Sequence, residues 1–162
     1  MKQRHHSPRP NPSRRLATVA ALATGALLLT ACAPWRMWTA ADLAREARPY
    51  TAQPAQPVRR ILVVGDSTAV GTGADAPQDS LPGRIGQDHP RWHIDNLAAN
   101  GARYADVAAQ LEQAPAGYDL VLVLAGGNDV IRLTALDTLR TQIDQVVRLA
   151  QQKGQHVVLM PC

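Results

Sequence analysis

Four short apolar runs, separated by stretches with helical periodicity, constrain the fold of this chain most strongly. They predict strands at 61–65, 91–97, 119–125 and 155–160. The first, third and fourth runs are continuously apolar, which is typical of strands covered on both faces of a sheet. Strands that alternate with helices favour a parallel sheet with right-handed crossovers. The pattern therefore predicts an α/β protein with a parallel sheet.

The intervening stretches predict helices at 80–88, 102–113 and 134–153. The last is the clearest, because its apolar residues fall on one face at helical spacing. That face comprises Leu136, Leu139, Ile143, Val146, Val147 and Ala150. Thr134 and Asp137 predict a capping box at the start of this helix, and Gly154 predicts its end.

Polar clusters follow the first three predicted strands. They are Gly-Asp-Ser at 65–67, a segment rich in Asn and Ala at 96–101, and Gly-Gly-Asn-Asp at 126–129. Each cluster alone is also ordinary turn chemistry. Together they would meet at one edge of a parallel sheet, beyond the carboxyl ends of the strands, where open α/β sheets carry their sites. The three clusters therefore predict one functional site at this edge.

These clusters resemble the first three sequence blocks of the SGNH, or GDSL, hydrolase family, and the similarity covers roughly residues 60–162. Members are serine esterases, lipases and deacylases with a flavodoxin-like, three-layer α/β/α fold. The resemblance implies that Ser67 is the nucleophile. It also implies an oxyanion hole formed by the backbone N–H groups of Ser67 and Gly101 and the side-chain amide of Asn128. We expect a small acyl or acetyl ester as substrate, and Asp66 and Asp129 to bond local turn amides.

The catalytic histidine and aspartate of the family come from an Asp-x-x-His block, and this sequence contains none. His89, His93 and His156 flank the starts of predicted strands, so we expect them at the amino-terminal edge of the sheet, away from Ser67. A serine without a base is a weak nucleophile, so we expect the present chain to be inactive. The fold is then truncated after the fourth strand. The chain is either a fragment of a longer esterase or a degenerate, catalytically dead protein.

The N-terminal segment 1–31 predicts an export signal. It carries five of the 17 basic residues and none of the 13 acidic ones, and its apolar run at 16–31 is short for a bilayer. Leu-Thr-Ala-Cys at 29–32 resembles a bacterial lipobox, which implies a lipidated Cys32 and a membrane anchor facing the periplasm or exterior. An uncleaved anchor and an ordinary signal peptide with a chance cysteine are the alternatives. The remaining residues carry a net charge of −1, which argues against a nucleic-acid partner.

The sequence divides after the signal into a predicted tether at 32–58, rich in proline, and an incomplete hydrolase domain at 59–162. A short helix is expected at 39–47. No metal ligand cluster or cofactor is expected. A rival hypothesis is a non-catalytic envelope lipoprotein that binds glycan or acyl ligands. A nucleotide-binding flavodoxin-like domain is a further alternative, although the sequence lacks Gly-x-Gly-x-x-Gly spacing and a P-loop lysine.

Overall fold

The computed structural model of the protein describes residues 42–161, which contain a four-stranded, entirely parallel sheet. Its strands are β1 (Arg59–Gly65), β2 (Trp92–Asn96), β3 (Tyr118–Ala125) and β4 (Gly154–Pro161), in the spatial order β2-β1-β3-β4. Val63 of β1 lies opposite Asn96 of β2 and Leu122 of β3. All four strands therefore end at the same edge, and the predicted α/β fold with a parallel sheet is confirmed.

Helices cover both faces of the sheet. They are α1 (Ser67–Val70), α2 (Leu81–Asp88), α3 (Tyr104–Gln113), α4 (Gly127–Ile131) and α5 (Leu136–Lys153), with a 3₁₀ turn at Pro77–Asp79. On one face, α3 and α5 pack against alternate side chains of β1 and β3. On the other face, α1 and α2 pack against the remaining side chains of the same strands. The strands are thus the middle layer of an α/β/α sandwich, which explains why their sequences are continuously apolar.

The start of α5 differs from the prediction. Its N-cap is Ala135, which makes no side-chain capping hydrogen bond, so the predicted capping box of Thr134 and Asp137 is wrong. Thr134 instead donates from its backbone N–H to the carbonyl oxygen of Asp129 (2.9 Å) and from Oγ1 to Asp129 Oδ1 (3.1 Å). A buried carboxylate on a neighbouring element outcompetes the helix for this hydroxyl.

The apolar face of α5 is buried toward its C-terminal half and open at its start. Val146 and Ala150 are fully buried, and Leu139 and Ile143 pack against the same core. Leu136, predicted on this face, is 70% exposed. Gly154 ends the helix as predicted, and it does so in an extended conformation because β4 begins at that residue.

Residues that precede β1 pack against the sheet. Residues 42–46 are helical, within the short helix expected at 39–47, and Ala52 forms an antiparallel bridge with Ile94 of β2. Tyr50 lies against the core and packs on Gly86 of α2. Part of the segment predicted to be a tether is therefore held against the domain.

The predicted signal peptide, the lipobox and Cys32 lie outside the described residues. Within the described part of the chain, no helix has both the length and the apolar character needed to cross a bilayer.

A polar cluster lies near the amino-terminal ends of β1, β2 and β3. The hydroxyl of Tyr118 donates to Asp95 Oδ2 (2.7 Å), which also lies 3.0 Å from His93 Nε2. The guanidinium of Arg60 stacks over the Tyr118 ring at 4.8 Å. Burial, together with the hydrogen bond and the negative charge of Asp95, raises the pKa of Tyr118 from 10.0 to about 12, against the opposing effect of Arg60. The fold therefore favours the neutral phenol.

We expect Tyr118 to make the protein sensitive to alkali. Because its pKa is raised from 10.0 in the unfolded chain to about 12 in the fold, its contribution to stability is complete below pH 10.0 and is lost as the pH approaches 12. Urea unfolding between these pH values should show a steeper loss of unfolding free energy for the native protein than for Tyr118→Phe. Phenolate absorbance should show one tyrosine fewer titrating near pH 12 in the variant. Identical pH profiles would contradict this assignment.

Candidate active site

The site begins where β1 ends, at Gly65. This residue has φ +146°, and a methyl group on it would collide with the carbonyl oxygen of Leu124 in β3. The next residue, Asp66, donates its backbone N–H to that same oxygen at 2.9 Å. Only glycine allows this close approach. The chain therefore leaves the sheet pressed against β3, and this fixes the direction in which the following residues point.

Gln110 of α3 holds the backbone of Gly65 through two hydrogen bonds. Its Oε1 accepts from the N–H of Gly65 (2.8 Å), and its Nε2 donates to the carbonyl oxygen of Gly65 (3.0 Å). Both groups are buried. Gln110 is not among the site residues predicted from the sequence. The available signal was a polar side chain in the buried stripe of α3, between Val107 and Leu111.

Ser67 is the first residue of α1. The N-cap is Asp66, which is buried and accepts a hydrogen bond from the backbone N–H of Thr68 at 2.9 Å, so Asp66 bonds a local amide as predicted. The N–H groups of a first helical turn have no intrahelical partner. Within residues 42–161 the Oγ of Ser67 has no hydrogen-bond partner, and the residue is half-buried. Its hydroxyl is therefore available to a ligand at the edge of the sheet.

Gly101 lies in the segment that follows β2, with φ +76°. Two hydrogen bonds tie this segment to α1 and the turn after it. Asn96 Nδ2 donates to the carbonyl oxygen of Ala69 at 2.9 Å, and Thr72 Oγ1 donates to Asn100 Oδ1 at 2.5 Å. The segment is therefore held next to the element that carries Ser67.

Asn128 belongs to α4, directly after β3. Its Nδ2 donates to the carbonyl oxygen of Ala102 at 3.2 Å, one residue beyond Gly101. A primary amide has two N–H donors. One hydrogen bond therefore orients the side chain, and the second donor remains for a ligand.

Asp129, the next residue, is buried and fixes the position of α4. Its carboxylate accepts from the backbone N–H of Tyr104 (3.0 Å) and from the hydroxyl of Thr134 (3.1 Å). The expectation that Asp129 bonds a local turn amide is therefore wrong, because Tyr104 lies on α3. The bond instead joins α4 to the chain that follows Gly101.

These contacts bring the three sequence clusters to one edge of the sheet. The cluster around Gly101 is bonded to the chain after Ser67 on one side and to Asn128 on the other. The same edge of the sheet therefore carries a hydroxyl without a hydrogen-bond partner among the described residues and two neutral N–H donors, which suits a reaction that develops negative charge on oxygen.

The three histidines among the described residues lie at the opposite end of the sheet. In the register of the sheet, His93 of β2 lies opposite Arg60, near the start of β1. His156 of β4 lies opposite Leu120, near the start of β3. His89 follows α2 and stacks on Trp92 at 3.7 Å. At about 3.3 Å per strand residue, His93 is roughly 20 Å from Ser67. The predicted position of all three matches the structure. Among the described residues no group of three His, Cys, Asp or Glu side chains could hold a metal ion.

Residues 63–162 match the GDSL-like lipase/acylhydrolase family over more than half of the chain. The chain belongs to this family. No match was found among curated proteins. The fold agrees with this assignment, because GDSL/SGNH esterases and lipases are among the solved structures that resemble it.

Three such structures illustrate the likeness. TesA is 29% identical with a TM-score of 0.51, over 62% of this chain and 59% of TesA. AlinE4, an SGNH-hydrolase family esterase, is 24% identical with a TM-score of 0.56, over 67% of this chain and 60% of AlinE4. An extracellular lipase from Streptomyces rimosus is 24% identical with a TM-score of 0.52, over 64% of this chain and 59% of the lipase. The GDSL-like chain thus spans about three-fifths of the proteins it resembles.

We expect Gln110→Leu to destabilise the protein by about 1–3 kcal/mol, because the variant leaves the buried N–H of Gly65 without an acceptor. Urea unfolding measures the change. Gln113→Leu, on an exposed position of the same helix, is the matched control and should change the unfolding free energy by less than about 0.5 kcal/mol. Equal effects of the two substitutions would show that the clamp on Gly65 carries no stability.

Proposed function

We propose that this chain carries the nucleophile and the oxyanion hole of an exported serine hydrolase that cleaves carboxylic esters through an acyl-enzyme. One observation carries the proposal. Ser67, whose hydroxyl has no hydrogen-bond partner among the described residues, lies at the same edge of the sheet as Gly101 and Asn128, and the amide of Asn128 has one N–H donor left for a ligand. Membership of the family supports the reaction class.

In the proposed reaction, Ser67 Oγ attacks the ester carbonyl and loses its proton to a base. The carbonyl oxygen becomes an oxyanion, which the N–H groups of Ser67, Gly101 and Asn128 stabilise. The tetrahedral intermediate collapses, the alcohol leaves with a proton, and the acyl group stays on Ser67 until water releases it. Neutral N–H donors suit this task because they are oriented before the charge develops.

The base is the missing component. The described residues place no histidine near Ser67, and the sequence has no Asp-x-x-His. We therefore propose that the chain alone turns over ester slowly or not at all, and that turnover requires an Asp-x-x-His block in the same protein.

The rival function is a non-catalytic lipoprotein that uses the same edge to bind acyl or glycan ligands. The distant histidines favour it. A binder needs the donors of Gly101 and Asn128 but has no use for the hydroxyl of Ser67, so the two hypotheses differ in their dependence on Ser67.

We expect a protein that joins this chain to an Asp-x-x-His block to hydrolyse a short-chain 4-nitrophenyl ester. Ser67→Ala should abolish this activity, since it removes the attacking oxygen. Asn128→Ala should lower kcat by about 10²–10³-fold, the usual effect of losing one oxyanion donor. Steady-state kinetics measures both, with unfolding curves as the control for folding. Unchanged turnover in Ser67→Ala would refute the hydrolase, and robust turnover by the 162-residue chain alone would refute the proposed need for a separate base.

We further propose that the N-terminal segment directs export and that Cys32 is lipidated, which anchors the domain to a membrane. In a bacterial host that carries out lipoprotein maturation, metabolic labelling with a fatty acid should mark the native protein and not Cys32→Ala. Cys162→Ala, which keeps the cysteine at position 32, is the matched control and should retain the label. Label on Cys32→Ala would contradict the anchor.

A further inference from the structure

A positive charge lies beside the proposed oxyanion hole. A methyl group built on Gly101 would be 3.4 Å from Nη2 of Arg132. The backbone nitrogen of Gly101 is two covalent bonds from that methyl position, so it lies at most about 6 Å from the guanidinium. Arg132 is not among the site residues predicted from the sequence.

This guanidinium is not neutralised by its surroundings. Arg132 is exposed, and no carboxylate of residues 42–161 lies within 4.0 Å of its side chain. The nearby carboxylate of Asp129 is turned inward, toward Tyr104 and Thr134. An arginine side chain presents five N–H donors in a planar fork that matches a carboxylate. In this part of the chain those donors are open to a ligand.

The backbone fixes where Arg132 stands. Its N–H donates to the carbonyl oxygen of Asn128 at 3.0 Å. The next residue, Leu133, adopts a left-handed conformation with φ +53°, and Thr134 then returns to Asp129 through two hydrogen bonds. The turn that carries Arg132 is therefore hydrogen-bonded to Asn128, which supplies the side-chain amide of the site, and to Asp129.

The residues around Arg132 are apolar and exposed. Val130, Ile131 and Leu133 are 68%, 79% and 88% exposed, and Arg132 is the one charged residue between Asp129 and Asp137. A single cation in an apolar rim favours a ligand that carries one negative charge next to a short apolar segment. A long neutral chain would leave the cation unpaired, and a highly charged ligand would leave the apolar side chains unused.

We propose that Arg132 is a specificity-determining residue that binds a carboxylate a few carbon atoms from the ester carbonyl. The substrates it favours are half-esters of short dicarboxylic acids. This inference rests on the proposed function, because it takes the carbonyl to sit at Ser67, Gly101 and Asn128. With the carbonyl oxygen at hydrogen-bond distance from Gly101, a spacer of two or three methylene groups reaches the guanidinium.

The test is a binding titration of the 162-residue chain that needs no turnover. Monomethyl succinate carries the carboxylate, and dimethyl succinate has the same skeleton without the charge. Amide signals of Gly101 and the side chain of Asn128 report the position of the ligand in nuclear magnetic resonance spectra. We expect both ligands to shift these signals and the half-ester to bind more tightly.

Variants of Arg132 separate a specific contact from general charge. Arg132→Gln should weaken the binding of the half-ester by about three- to tenfold, the range expected for a charge-assisted hydrogen bond in partial contact with solvent. It should leave dimethyl succinate unchanged. Arg132→Lys should restore part of the loss, since it keeps the charge without the fork. Arg140→Gln, an exposed arginine of α5 paired with Asp137, is the matched control and should bind like the native chain.

Equal affinity of the half-ester for the native chain and Arg132→Gln would overturn the inference. An equal loss in Arg140→Gln would also overturn it, because the effect would then be one of net charge. The proposed function fails by a separate measurement, the Ser67→Ala kinetics. Hydrolysis that depends on Ser67 without any dependence of half-ester binding on Arg132 refutes the carboxylate site alone. Binding that depends on Arg132 without hydrolysis supports a carboxylate site on a protein that is not a hydrolase.

Discussion

The site depends on the backbone of one residue, Gly65, at the end of β1. Gly65 offers a single N–H and a single carbonyl, and both are bonded to Gln110, while the carbonyl also accepts from the N–H of Ala99 at 3.1 Å. The next N–H, from Asp66, is held by Leu124. These bonds join β1 to β3, to α3 and to the chain after β2. Because all these partners are protein groups, the backbone at Gly65 cannot move without breaking several buried hydrogen bonds at once.

Two buried carboxylates next to the site hold its backbone segments in position. Asp66 starts α1 and Asp129 joins α4 to the start of α3. Both are adjacent in sequence to a proposed functional residue, and either one could be mistaken for a catalytic acid. Each carboxylate of this kind needs partners when buried, and the structure supplies them as backbone N–H groups and a hydroxyl. The charged groups thus hold the backbone in place, while the proposed oxyanion donors are neutral amides.

The sequence predicted the strands well and the helix starts less well, for a physical reason. Continuous apolar runs such as 119–125 have one stable place in an α/β protein, the middle layer of the sandwich. A helix start depends on which partner a single hydroxyl finds. Thr134 had the correct spacing to cap α5, but its hydroxyl bonds to the carboxylate of Asp129 in α4 instead. Gln110 is a similar case, because its role depends on a hydrogen bond to Gly65, which is 45 residues away in the sequence. Local pattern cannot report contacts at that separation.

The electrostatics of the edge explain why a cation there has a role beyond binding. The carboxylates of Asp66 and Asp129 are buried, so solvent screens them poorly, and both lie next to the proposed oxyanion donors. An oxyanion formed at this edge would be repelled by both charges, and the amide dipoles act against that repulsion. Arg132 is the charge of opposite sign that the described structure places beside Gly101. Without a bound carboxylate, its guanidinium would offset part of the repulsion. A substrate carboxylate paired with Arg132 would cancel that positive charge, so binding an anionic substrate and stabilising the oxyanion compete for the same residue.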